Sequence, residues 1–127
     1  MFRLLADSVG LSPLETIRVA FTAGVPGTAD DVVIYNANAP FKFRILDSTV
    51  LISTLVALAT VQLRDAVGGG GNALSDAFLA SALARLRDTN VGIANVTPIV
   101  NVGGTLTIRR SDRGVAGEVI VVIRREA

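Results

Sequence analysis

The 127-residue chain contains no cysteine and no histidine. The absence of cysteine excludes disulfides, thiolate zinc sites and a cysteine nucleophile. The absence of histidine excludes Ser-His triads and removes both the usual general base and the His clusters that hold iron, copper or zinc. Carboxylates are left as the remaining route to acid–base catalysis.

Charged residues are also few, at 18% of the chain, and the formal net charge is only +1. This balance does not favour nucleic acid or an anionic membrane as a partner. Lys42 is the only lysine among twelve basic residues. The arginines supply forked donors that suit carboxylates at interfaces. Half of the chain is hydrophobic, which is typical of a protein that gives part of its surface to partners.

Aromatic residues are scarce, with no tryptophan, one tyrosine and five phenylalanines. Sugar-binding sandwiches usually present aromatic platforms, and the phenylalanines here fall at positions typical of a core. The uncharged run from Ser48 to Leu63 is shorter than the roughly 20 residues of a membrane-spanning helix and contains several Ser and Thr residues. We interpret it as two buried strands or one strand pair.

The strongest structural signal lies in residues 102–125. Alternation around Leu106 and Ile108 predicts a half-buried strand with Thr107 on its polar face. All residues from Val119 to Ile123 are β-branched and apolar, which predicts a central strand with Val121 fully buried. The connector 111–117 is too long for a two-residue hairpin and also suits a crossing between two packed sheets.

Similar patterns predict strands at residues 16–22, 31–35, 41–46, 50–55, 59–64 and 95–100. The apolar alternation changes phase at Asp47 and Ser48, which indicates a bulge or a short turn. About eight or nine short strands separated by turn signals are typical of a sandwich or barrel. We therefore expect an all-β protein, an antiparallel β-sandwich of jelly-roll form, with residues 16–127 as its single domain.

Two segments depart from the strand pattern. Residues 67–72 include four consecutive glycines and are expected to form a flexible surface loop, because no phosphate-binding motif accompanies them. The apolar residues from Leu74 to Leu86 recur with helical spacing. They predict one short helix within residues 75–84.

Candidate contact residues fall in two places. Residues 1–15 have no clean periodicity, and we interpret them as an N-terminal arm that either packs on its own domain or docks on a neighbouring subunit. The candidate contacts of the arm are Phe2, Arg3, Leu4 and Leu5. In the connector 111–117, Asp112 and Arg113 form a candidate contact loop, with turn formation as the alternative role for Asp112.

The acidic residues do not assemble into a recognisable site. Most lie at predicted turns or strand ends, where Asp serves the backbone. Asp30 and Asp31 are the only adjacent pair, and the surrounding residues lack the oxygen-rich spacing of a calcium loop. The sequence therefore assigns no catalytic, metal-binding or cofactor-binding residue.

Three stretches resemble small capsid decoration (cement) proteins of tailed bacteriophages. They are APFKFRILD at 39–47, ATVQLRDAVGGGGNALSDA at 59–77 and GTLTIRRSDRGVAGEVIVVIR at 104–124. The resemblance implies a jelly-roll or related β-sandwich that forms trimers at three-fold positions on the outside of a capsid. Such proteins clamp neighbouring shell subunits against internal DNA pressure, and the family has no catalytic residues to transfer.

The function expected from the sequence is therefore a non-enzymatic capsid decoration protein on the outer capsid surface of a virion. Its expected partners are the major capsid protein and further copies of itself in a homotrimer, with no cofactor, no direct nucleic-acid contact and no membrane contact. Two alternatives stay open. One is a head-fibre or tail-associated module that binds glycans, and the other is a small carboxylate-dependent hydrolase.

Overall fold

A computed structural model describes residues 13–75, 77–80, 85–88 and 98–126, with the backbone alone for residues 85–88. Within these residues the structure consists of strands, turns and loops, and no helix occurs. The strands are β1 Leu14–Phe21, β2 Asp30–Tyr35, β3 Phe43–Thr54, β4 Thr60–Arg64, β5 Phe78–Leu79, β6 Arg85–Asp88, β7 Ile99–Val100, β8 Leu106–Arg110 and β9 Ala116–Arg125.

The strands form two antiparallel sheets. Sheet A has the order β1-β9-β3-β6, and the short strand β7 also pairs with β3. Sheet B has the order β2-β8-β4-β5. The expected all-β class and the antiparallel, sandwich-like arrangement of two sheets are thereby confirmed.

A continuous apolar core is built from the alternate residues of both sheets. Its fully buried members include Phe43, Ile45, Val50, Val119, Val121 and Ile123 from sheet A, and Val61, Leu63, Leu106 and Ile108 from sheet B. Removing each such side chain from water stabilises the fold by about 1.5–3 kcal/mol relative to exposure. The core thus fixes which face points outward in the strands that contribute to it.

The prediction of a central, buried strand near the C-terminus is confirmed. β9 lies between β1 and β3, and Val121 is opposite Ile17 on one side and Ser48 on the other. Its side chain is completely buried. The connector after β8 carries the chain from sheet B to sheet A, so of the two roles predicted for residues 111–117 the crossing between sheets is the one observed.

β3 is one long strand where the sequence pattern predicted two. Its pairing with β9 shifts register between Ile45 and Asp47, which is the bulge that the change of phase indicated. The run from Ser48 to Leu63 therefore contains the end of β3 in sheet A and most of β4 in sheet B.

The helix predicted within residues 75–84 is not confirmed. Phe78–Leu79 forms a strand that pairs with β4, and Phe78 is buried. An apolar residue at that position satisfies a strand as well as a helical stripe, and pairing with β4 decides between them. Residues 76 and 81–84 lie outside the described residues, as do residues 95–97 of the strand predicted at 95–100.

The exposed position predicted for Thr107 is wrong. Thr107 lies on the outer face of sheet B, opposite Val33 and Arg64, yet its side chain is fully buried. Its hydroxyl donates to the carbonyl oxygen of Ala66 at 3.0 Å, because the loop after β4 folds back over this face. A threonine can be buried there because a carbonyl oxygen of the loop accepts the hydrogen bond of its hydroxyl.

Candidate protein-binding site

Three loops meet at one end of the sandwich, which we call the three-loop end: residues 22–29 between β1 and β2, 55–59 between β3 and β4, and 111–115 between β8 and β9. The antiparallel pairing places them together, because β1, β3 and β8 finish at this end while β2, β4 and β9 begin there.

Asp112 and Arg113 brace two of these loops against each other. The Asp112 carboxylate accepts hydrogen bonds from the backbone N–H of Gly27 at 3.0 Å and of Gly114 at 2.8 Å. Arg113 donates from Nε to the carbonyl oxygen of Val25 at 2.6 Å, and its own carbonyl accepts from Gly24 N–H at 2.7 Å. Both side chains are half-buried, so their charged groups are committed to holding the loops.

Arg110 forms the base beneath the same loops. Its guanidinium makes a bidentate pair with Asp30, at 2.7 and 2.6 Å, and donates to the carbonyl oxygens of Thr22 and Val115, each at 2.7 Å. It also lies over the ring of Phe21, 5.5 Å from the centroid. A buried arginine with this many partners fixes sheet B, the end of β1 and the start of β9 relative to one another.

The third loop is attached through Val56 and Thr60. Val56 packs against the core, and its N–H donates to the carbonyl oxygen of Ala80 at 3.1 Å. Thr60 exchanges two hydrogen bonds with Ser111, one to the Ser111 hydroxyl and one from the Ser111 N–H. A Cβ built on Gly114 would lie 3.0 Å from Val56 and 3.1 Å from Pro26, so all three loops are in close contact.

On this braced end, apolar side chains point into solvent. Leu58 is 85% exposed, Val25 is 70% exposed and Leu55 is 45% exposed. Asp112 and Arg113 are the only charged residues of the three loops, and both are engaged within the end. The surface therefore presents exposed apolar side chains on hydrogen-bonded loops that carry no net charge, which is the character of a protein-docking surface.

The structure places the predicted contact residues Asp112 and Arg113 among the bracing groups of the three-loop end, and their role as contacts stays a prediction. The exposed residues Val25, Leu55 and Leu58 were not predicted. Leucines in a short connection between two strands, where polar turn residues are usual, are the signal that could have found them. Phe2, Arg3, Leu4 and Leu5 of the predicted arm lie outside the described residues, and β1 begins at Leu14.

The glycine-rich loop lies at the opposite end, after β4, and is a surface loop as predicted. It is also tied down. Arg64 donates to the carbonyl oxygens of Gly70 and Gly71, each at 3.1 Å, and Gly68 N–H donates to Asp31 at 2.7 Å. These hydrogen bonds occupy polar groups of the loop itself. A phosphate bound there would be repelled by the carboxylate of Asp31. We therefore interpret the loop as a cover of sheet B and not as a phosphate-binding site.

The carboxylates with recorded partners are held by the fold. Ion pairs join Glu15 to Arg125, Arg18 to Glu118, Arg44 to Glu126, Asp31 to Arg109 and Asp30 to Arg110. Asp65 accepts from the N–H and side-chain amide of Asn72. These carboxylates act as structural acceptors, which gives no support to a two-carboxylate hydrolytic site.

One depression on the described part of the chain is smaller than a typical small-molecule site. A depression of about 120 Å³ lies between Asp65, Val100 and Thr105 at the end opposite the three loops, well below the roughly 300–1,000 Å³ of typical ligand pockets. In the described part of the chain no group of three potential metal ligands occurs. The same part contains no helix long and apolar enough to cross a membrane.

Comparison of the chain with protein-family models, curated proteins and solved structures gave no match.

Proposed function

We propose that this protein is a non-enzymatic capsid decoration protein that binds the outer surface of a tailed-phage head and stabilises contacts between major capsid subunits. The observation that carries the proposal is the three-loop end, where exposed apolar side chains stand on loops braced by Asp112, Arg113 and Arg110. Such an end can dock on another protein without rearranging, so little ordering cost opposes binding.

We further propose that the sandwich is a jelly roll, and the strand pairing supports this. β1 pairs with β9, β2 with β8, β3 with β6 and β4 with β5. The chain is thus a set of nested antiparallel pairs shared between two sheets, as in a long hairpin that has been rolled up. Jelly rolls are the architecture of many viral capsid domains and lectins.

Two of the three stretches of family resemblance include parts of the three-loop end, although Val25, Leu55 and Leu58 themselves lie outside all three stretches. The stretch 104–124 covers β8, the braced loop 111–115 and most of β9, and the stretch 59–77 begins at the third loop. Capsid binding is therefore proposed on two independent grounds, a sequence likeness and an exposed apolar surface.

The rival functions receive less support from the site. A glycan-binding module would present aromatic rings on its binding surface, whereas residues 22–29, 55–59 and 111–115 contain none. A hydrolase would need two carboxylates facing a cleft, whereas Asp112, the acidic residue of the three loops, is hydrogen-bonded to backbone N–H groups. Neither rival uses the apolar surface that is present.

The arm completes the proposal. Phe2, Arg3, Leu4 and Leu5 are proposed as a second contact with the shell. Deleting residues 1–14 is then expected to weaken shell binding while the sandwich still folds. Unchanged binding by the truncated protein, or its failure to fold, would remove the arm from the proposal and leave the three-loop end as the contact.

Cosedimentation with empty shells tests the function. The shells are assembled from the major capsid gene of the genome that encodes this chain, mixed with the purified protein and pelleted. We expect saturable binding and a higher temperature of shell disruption. The control variant Val102→Ser should bind shells like the wild type, because Val102 is also exposed but lies in the loop at the opposite end. A wild-type protein that stays in the supernatant at tens of micromolar would refute the proposal.

A further inference from the structure

Leu58 combines two features that rarely occur together. Its φ is +63°, in the left-handed region that leucine seldom adopts, and its side chain is 85% exposed. Within the described residues the only other non-glycine residue at positive φ is Ala37. The backbone at position 58 suits glycine or asparagine, yet the residue present is a large apolar one.

The fold imposes this conformation from both sides of Leu58. Ala59 N–H donates to the carbonyl oxygen of Val56 at 3.1 Å, which closes the turn around Leu58. Ala59 then accepts from Ala80 N–H at 2.8 Å, while Val56 N–H donates to the Ala80 carbonyl at 3.1 Å. The leucine side chain contributes little to this arrangement because most of it is in water. Its identity is therefore unexplained by folding.

We propose that Leu58 is the anchor of the three-loop end and inserts into a concave, apolar and uncharged pocket on the shell protein. This inference rests on the proposed function and names the chemistry of the partner. Leu58 is at the tip of its loop, so the matching surface must be concave. In this proposal Val25 and Leu55, the other exposed apolar residues of the three-loop end, cover the rim of the contact and exclude water from it.

The charges of the site argue for an uncharged pocket. Asp112 and Arg113 are engaged with backbone groups of the loops, and Asp30 is paired with Arg110. The opposite charges of Asp112 and Arg113 leave the three loops without a net charge to complement an ionic partner. Binding should therefore depend weakly on ionic strength, in contrast to an interface steered by charge.

The same residues argue against a lipid surface as the partner. Loops that insert into membranes usually combine apolar residues with Trp or Tyr at the interface and with free Lys or Arg for anionic headgroups. Residues 22–29, 55–59 and 111–115 contain no aromatic residue, and their one basic residue, Arg113, is held by Val25. A protein pocket is the partner that fits.

Two substitutions separate the strain at position 58 from the apolar contact. Leu58→Gly and Leu58→Asn both fit a left-handed backbone, so the urea midpoint of either variant should equal or exceed that of the wild type. Both remove the anchor, so affinity for shells should fall by roughly tenfold or more. The control Val102→Asn, at the opposite end, should bind normally. Wild-type affinity should change less than about threefold between 0.1 and 0.5 M salt.

Each other result overturns a defined part of the account. If wild-type protein binds shells and both Leu58 variants bind equally well, Leu58 is not the anchor and the proposed function stands. If either variant has a clearly lower urea midpoint, the side chain serves the fold and the inference fails. Binding to anionic lipid vesicles that Leu58→Asn abolishes would identify a membrane partner instead. If the wild type does not bind shells, the proposed function and this inference fall together.

Discussion

At the scale of single residues, Arg110 does the most to connect the fold with its candidate site. One guanidinium holds the carboxylate of Asp30 and the carbonyl oxygens of Thr22 and Val115, and so links β2, the end of β1 and the start of β9 to β8. Hydrogen bonds that involve a charged group are roughly twice as strong as neutral ones. Arg110 therefore fixes the positions of the loops above it relative to the core.

Val121→Asp tests the core at its centre. Val121 is fully buried between β1 and β3, so the new carboxylate would have neither water nor a partner. Burying such a charge costs several kcal/mol, which is comparable to the total stability of roughly 5–15 kcal/mol of a small domain. We expect the variant to be largely unfolded by circular dichroism.

The matched control for Val121→Asp is Thr16→Asp, on the exposed outer face of β1. It should change the free energy of unfolding by less than about 0.5 kcal/mol. Thr107→Asp is unsuitable as a control, because Thr107 is buried beneath the glycine-rich loop. Val121→Asp with a wild-type urea midpoint would show that the central-strand assignment is wrong.

Val121 and Thr107 show which features of the structure can be predicted from the sequence and which cannot. Val121 could be placed correctly, because five consecutive β-branched apolar residues indicate a central strand, although Ile120 and Val122 on its outer face are only partly buried. Thr107 could not, because its burial depends on a loop that returns over the outer face of sheet B. The sequence pattern of a strand shows which residues alternate between its two faces. Whether the outer face is covered depends on the path of another segment of the chain, which that pattern does not show.

The candidate site was predictable only in part for a similar reason. The loop that contains Asp112 and Arg113 could be predicted, because its residues are typical of turns. The role of Leu58 depends on a backbone angle and on the hydrogen bonds of Val56, Ala59 and Ala80. Ala80 lies about twenty residues after that loop in the sequence, so no local pattern predicts its hydrogen bonds with Val56 and Ala59.

At the scale of elements, the contact between β3 and β9 depends on Gly117. A Cβ built on Gly117 would overlap the carbonyl oxygen of Leu51 in the neighbouring strand. This close approach adjoins the register shift between Ile52 and Thr54. Only a residue without a side chain allows the two backbones to come so near.

Gly117→Ala should therefore destabilise the protein by about 3 kcal/mol, because a backbone atom must move to relieve the overlap. Gly70→Ala is the matched control. A Cβ at Gly70 would meet nothing within 4 Å, and Gly70 is not among the glycines at positive φ. We expect the control to unfold within about 0.5 kcal/mol of the wild type in urea. Equal midpoints for the two variants would contradict the strand packing described for β3 and β9.

The pairing of β1 with β9 carries a pH dependence. The hydrogen bond from Arg125 holds the pKa of Glu15 below its ordinary value, and the charge of Arg125 acts in the same direction. Because the pKa is lower in the folded than in the unfolded state, the pair stabilises the fold above the ordinary pKa near 4.5. This contribution is lost as the pH falls through the folded pKa.

We expect Glu15→Gln to lower the urea midpoint slightly at pH 6 and to leave it unchanged at a pH below the folded-state pKa of Glu15, where the wild-type carboxylate is protonated. The effect should be small because both side chains are partly in water. Glu118→Gln, which removes the partly buried partner of the exposed Arg18 on the same two strands, serves for comparison. A difference between wild type and Glu15→Gln that grows as the pH falls would have the wrong sign for this ion pair.

At the scale of the whole molecule, the two sheets form a rigid body with different ends. One end displays Val25, Leu55 and Leu58 on braced loops, and the other carries the glycine-rich loop together with the exposed side chains of Val67 and Val102. We expect the proposed decoration function to use the difference between the ends, because one surface must meet the shell while another faces the solvent. Several copies held together would present several such ends at once, and binding through all of them would be tighter than through one.

We accordingly expect a homotrimer, with cyclic symmetry that points all three copies of the three-loop end the same way. Sedimentation equilibrium at tens of micromolar should give a mass close to three times the 13.2 kDa of the chain. The mass should be the same at low and moderate salt if the contacts between copies are mainly apolar. A mass of 13.2 kDa throughout this range would count against the trimer.

The most direct test of the central claim is electron cryomicroscopy of shells assembled with and without this protein. The account predicts additional density on the outer surface of the shell only when the protein is present. In that density the three-loop end faces the major capsid protein, with Leu58 in an apolar pocket. Identical bare shells in both samples, or density that contacts the shell through the opposite end and leaves Leu58 in solvent, would contradict it.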